Sequence, residues 1–141
     1  MTHSPTTVYL GSHGSNILES DNWAGDPATF KAGLCCHLDD DGDVSLASAD
    51  GAKLGISLGR SLSDHKRVTV ARKGKRVPIL CTAAMTVVVG AQVQISTTTG
   101  KAVDSGTAIN AVFVSEKLTA YDEDGVAITD GAAYIDFIGG L

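Results

Sequence analysis

The chain has 141 residues and a mass of 14.5 kDa, one domain's worth of material and enough to bury an ordinary hydrophobic core. Hydrophobic residues make up 43% and charged residues 19%, which excludes a disordered polyelectrolyte and a charge-rich coiled coil. The formal net charge is −5, and Gly, at 16, outnumbers all the aromatic residues together, which argues for many turns and small-residue packing over an aromatic-rich cleft.

Residues 1–31 are rich in Ser, Thr, Asn, Asp and Gly, with thinly spread apolar side chains. They read as an irregular N-terminal segment. It is either an extended strip that covers its own domain or an arm that reaches a neighbouring subunit, with Tyr9 and Trp23 as its anchors. The first seven residues have no basic start and no apolar run, so no secretory signal is expected. No stretch approaches the roughly 18–20 apolar residues that span a bilayer, and no membrane partner is expected.

From residue 32 onward, short β-type runs alternate with turn signals. Residues 34–38 form a first run, closed by the acidic turn 39–42. Val44-Ser45-Leu46 alternates, and residues 54–58 place three aliphatics on one face. Val68-Thr69-Val70-Ala71 and Val77-Pro78-Ile79-Leu80 read as a hairpin around Arg72-Lys73-Gly74-Lys75, with Pro78 at an edge or bulge because it donates no ladder bond. Residues 87–89, 93–95, 108–114, 126–128 and 134–138 continue the pattern, and 115–121 reads as one helical turn. This spacing predicts an all-β domain over 32–141, a single antiparallel β-sandwich or jelly-roll/β-barrel. The runs before residue 80 and those after residue 90 follow the same grammar of strand, Gly turn, short strand, long strand, linker and Gly turn, so two similar halves are expected. In that scheme Gly74 and Gly131 are equivalent turns.

Charge is unevenly placed. Arg60, Lys66, Arg67, Arg72, Lys73, Lys75 and Arg76 face only Asp64 within their window, which carries +6 and leaves −11 on the rest of the chain. No aromatic residue interleaves the cations for base stacking, and the chain is acidic overall, so nucleic acid is not the expected partner. Arg67, Arg72, Lys73, Lys75 and Arg76 are the candidate docking residues for an acidic protein surface.

Other motifs are accounted for by structure. Cys35 and Cys36 are neighbours on a strand and should point to opposite faces, and with Cys81 they read as reduced, buried small hydrophobes. Asp39-Asp40-Asp41-Gly42-Asp43 and Asp122-Glu123-Asp124-Gly125 lack the first and twelfth ligands of a calcium loop and read as turns. No nucleophile elbow, phosphate loop or paired-Cys metal motif is present, so neither an enzyme nor a cofactor is expected.

Val89-Gly90-Ala91-Gln92-Val93, Thr99-Gly100-Lys101-Ala102-Val103, the run 109–114 and the apolar end 133–141 together resemble bacteriophage capsid decoration, or cement, proteins. The resemblance covers about one third of the chain. It implies a β-barrel or jelly-roll body that binds the outside of an assembled head, on the major capsid protein, as a dimer or trimer. It implies a place on the capsid exterior of the virion, after assembly in the host cytoplasm, and neither catalysis nor a cofactor. The alternative is a carbohydrate- or receptor-binding module of a phage tail appendage, which one Trp and three Tyr support weakly.

Overall fold

The computed structural model describes residues 7–10, 17–24, 31–38, 43–46, 54–60, 67–122 and 124–138. Every regular element among them is a strand: β1 (Thr7–Tyr9), β2 (Ile17–Ala24), β3 (Cys35–Leu38), β4 (Asp43–Leu46), β5 (Leu54–Arg60), β6 (Arg67–Leu80), β7 (Gln92–Ile95), β8 (Ala102–Val103), β9 (Thr107–Phe113), β10 (Leu118–Tyr121) and β11 (Ala127–Phe137). The protein is all-β.

All eleven strands belong to one hydrogen-bonded sheet, whose main path runs β2-β4-β3-β5-β6-β11-β9-β7-β8. β10 pairs with β11, and β1 pairs with β10. β2 also pairs with β6, so successive ladders lead from β6 through β5, β3, β4 and β2 back to β6. Most ladders are antiparallel, while β1–β10 and β2–β4 are parallel. The two halves foreseen in the sequence recur as strand order. β4-β3-β5-β6 and β8-β7-β9-β11 are the same arrangement, and they join where β6 meets β11. Their registers differ: β5 pairs with the first residues of β6, Val68 to Ala71, whereas β9 pairs with the last residues of β11, Ile135 to Phe137.

Several local expectations are corrected. No hairpin forms around Gly74. β6 is one strand of 14 residues, and Gly74 lies inside it, paired with Ile17 on β2 and with Phe137 on β11. Gly131 likewise lies inside β11, at φ +83, and not in a turn between strands. A glycine amid extended residues marks a bulge as readily as a turn, and long-range pairing decides which. Residues 118–121 are strand β10 instead of a helical turn, because they pair with β11. Val88 and Val89 stand exposed in a turn, closed by the Ala91 N–H donating to the Val88 carbonyl at 3.1 Å. Within 1–31, expected to be irregular, β1 and β2 are strands of the domain's own sheet. The acidic turn 39–42 lies outside the described residues.

The largest apolar cluster draws on both halves. Leu54, Ile56 and Val77 pack in it with Val93, Ile109, Phe113, Ile135 and Phe137. A second cluster joins Val8 and Leu10 to Leu34, Leu80, Ala120 and Ala132, so packing crosses the boundary expected at residue 31. Cys35 belongs to the largest cluster and Cys36 to a third one with Val44, Val68 and Val70. The adjacent cysteines therefore do serve opposite faces.

Candidate docking surface on β6

The basic stretch owes its geometry to two bulges. Between the pairs Leu18↔Lys73 and Glu19↔Ala71, β2 advances one residue while β6 advances two, which leaves Arg72 as the extra residue. Between Ile135↔Val77 and Phe137↔Gly74, β11 advances two residues while β6 advances three. That extra residue falls at Lys75-Arg76, and Arg76 adopts φ 55, the left-handed conformation. Bulges re-aim side chains out of the regular alternation. Here they bracket Gly74, and the result is that Lys73, Lys75 and Arg76 are all exposed. Arg72 is half-buried, with its Nε shielded from solvent and without a hydrogen-bond partner among the described residues.

Lys73, Gly74 and Lys75 line one wall of a cavity of about 470 Å³. The other walls are Val112 of β9, Asp136 and Phe137 of β11, and Ile138 just beyond it. Ile138 is 61% exposed. Among the described residues Asp136 is the one carboxylate of the lining, and its Oδ1 accepts a hydrogen bond from the Arg76 backbone N–H at 3.2 Å. Two ammonium groups against one carboxylate make the mouth electropositive, while the floor is apolar. Among the described residues, no ion pair involves Lys73, Lys75 or Arg76.

No family model, no curated protein and no solved structure matches this chain. The surface has to be read from its own chemistry. Of the seven candidate residues, Lys73 and Lys75 come together at the cavity and Arg76 sits beside it. The backbones of Arg67 and Trp23 are opposite each other in the β2–β6 ladder, and Tyr9 pairs with Tyr121 on β1–β10. The side chains of Arg67, Trp23 and Tyr9 lie outside the described residues. Val112, Asp136 and Ile138 were not candidates in the sequence. The only signal for them was the apolar end of the last strand, and nothing local says that this strand lies against residues 74–80.

The remaining reactive groups are chemically quiet. Burial pushes the Cys35 thiol up to about 12 and the Cys81 thiol up to about 11, the latter opposed by the charge of Lys117. Burial also raises the Cys36 thiol well above its ordinary value. Thiols held protonated in this way are poor nucleophiles. No group of three His, Cys, Asp or Glu side chains converges to hold a metal among the described residues.

Proposed function

We propose that this protein is a structural component of a phage virion that binds the outer surface of an assembled head as a homo-oligomer. The observation that carries this reading is the set of exposed cations on one stretch of β6, Lys73, Lys75 and Arg76, which have no acidic partner among the described residues. Solvated charges aimed outward in a chain that is otherwise strongly acidic fit an external acidic protein surface, and such complementarity steers association. The sequence resemblance to cement proteins supplies the identity of that surface, the major capsid protein.

The test is cosedimentation with purified, DNA-filled heads and, in parallel, with free DNA. The reading predicts saturable binding to heads that weakens with salt, because exposed charges are screened beyond about 10 Å at 0.1 M ionic strength. Arg76→Glu should weaken it at low salt while leaving the fold intact. Absence of head binding by the wild-type protein would overturn the reading, and salt-sensitive retention of free DNA would replace it with nucleic-acid binding.

A further inference from the structure

The cavity beside Lys73 and Lys75 has a complement elsewhere on the same molecule. Among the described residues four large apolar side chains stand exposed: Val88, Val89, Val126 and Ile138. Ile138 lines the cavity. Val126, 59% exposed, sits on the acidic turn that precedes β11. Its described residues are tied to one another. The Asp122 carboxylate accepts from the backbone N–H groups of Asp124 and Val126, both at 2.9 Å, and the Asp122 N–H donates to the Val126 carbonyl at 2.8 Å. Asp124 and Val126 are therefore presented outward on a preorganised loop, a carboxylate beside an apolar knob.

The turn and the cavity stand at opposite ends of one strand. β11 runs from Ala127 to Phe137, which at about 3.3 Å per residue separates them by about 33 Å. The turn of one molecule therefore cannot fill the cavity of the same molecule, but it can fill that of the next. We propose that copies of this protein associate head to tail, with Asp124 and Val126 of one copy seated in the Lys73/Lys75 cavity of its neighbour. Val126 meets the apolar floor at Val112 and Ile138, and Asp124 meets Lys73 and Lys75 at the mouth. A heterologous contact of this kind closes into a ring when its rotation permits. Arg76 lies outside the cavity lining, so a filled cavity leaves it exposed. The contact takes up Lys73 and Lys75, so in the assembled state Arg76 is what this set leaves for an external acidic surface.

Analytical ultracentrifugation of the full chain over a range of concentrations tests it. The wild-type protein should associate, less so at high salt. Lys73→Glu/Lys75→Glu destroys the cavity side and Asp124→Lys the turn side, and each should weaken association at least about tenfold. Val126→Ser, which changes no charge, should weaken it as well. In an equimolar mixture of the two charge variants every turn finds a cavity of opposite charge, so association lost by each variant alone should be recovered. A monomeric wild type would overturn the proposal, as would variants that are folded by thermal melting yet associate like wild type, or a mixture that stays monomeric. Head binding is read separately on the wild-type protein: association without head binding would count against the shell reading and not against the contact between copies.

Discussion

The backbone N–H of Arg76 donates to the Asp136 carboxylate across the bulge at which β6 carries one residue more than β11. The two residues are 60 apart in the chain, and the bond holds Arg76 at φ 55, where an L side chain is crowded. The left-handed conformation costs a non-glycine residue roughly 1–2 kcal/mol. Glycine escapes that cost but gives up about 0.5–1 kcal/mol of chain entropy. Arg76→Gly is thus expected to stabilise the fold by up to about 1 kcal/mol, and the β-branched Arg76→Val to destabilise it by more than about 1 kcal/mol. Urea denaturation of the two variants checks this. A less stable Arg76→Gly would show that the bulge does not strain this position.

Ser57 ties the segment before β3 to the sheet. It is fully buried, its Oγ donates to the Lys31 carbonyl at 2.6 Å, and it accepts from the Leu34 N–H at 3.0 Å. Its backbone closes two further bonds, with Gly33 and Leu34. Ser57→Ala takes this partner from the buried Leu34 N–H and from the part-buried Lys31 carbonyl. The expected cost is about 1–3 kcal/mol. Ser57→Cys retains a weaker donor of similar shape and should lose less. Equal stability of Ser57→Ala and wild type in thermal melts would remove this residue from the account of the fold.

The three thiols set a limit at high pH. Their ordinary value is 9.0, and in the folded protein Cys35 is pushed up to about 12 and Cys81 to about 11 by burial. As pH rises past 9.0, the unfolded chain releases these protons before the folded one does. The stability that burial of neutral thiols contributes is therefore complete below pH 9.0 and is lost as pH climbs through about 11 to 12. Denaturant midpoints measured from neutral pH upward should fall in that window, and replacing Cys35 by Ala or Ser should flatten the fall. In the native protein at mildly alkaline pH all three cysteines should resist a thiol reagent and react only on unfolding. Fast labelling of any one of them would show that its site opens to solvent without global unfolding.

Strand content was legible because it is a local property. The alternation at Leu54, Ile56 and Leu58 became β5, and the facing-apart of Cys35 and Cys36 followed from the pleat alone. The recurrence of strand grammar before and after residue 90 reappeared as a repeated strand order. What failed turned on partners distant in sequence. Gly74 and Gly131 each have the flanks of a turn glycine, and only the approach of β2, β11 and β10 makes them positions inside strands. The segment Ile17–Ala24 has no clean alternation, yet seven of its residues pair with β6. The cavity shared the same fate. Its two lysines stood out as charge, but its floor comes from β9 and β11, which no local pattern assigns to that place.

The strand order also bears on how copies of the chain could touch. The two longest strands, of 14 and 11 residues, lie at the middle of the path: β6 pairs with β5, β2 and β11, and β11 with β10, β6 and β9. At one end of the path β8 has only two residues, and its Ala102 is bridged to Cys81. At the other end β2 folds back onto β6. Among the described pairings, neither end of the path offers a long free strand on which a foreign one could grow, the usual route to fibres. Adhesion between molecules then falls to side chains, whose shape and charge admit few geometries. Contact between copies would then join two sheets without lengthening either of them.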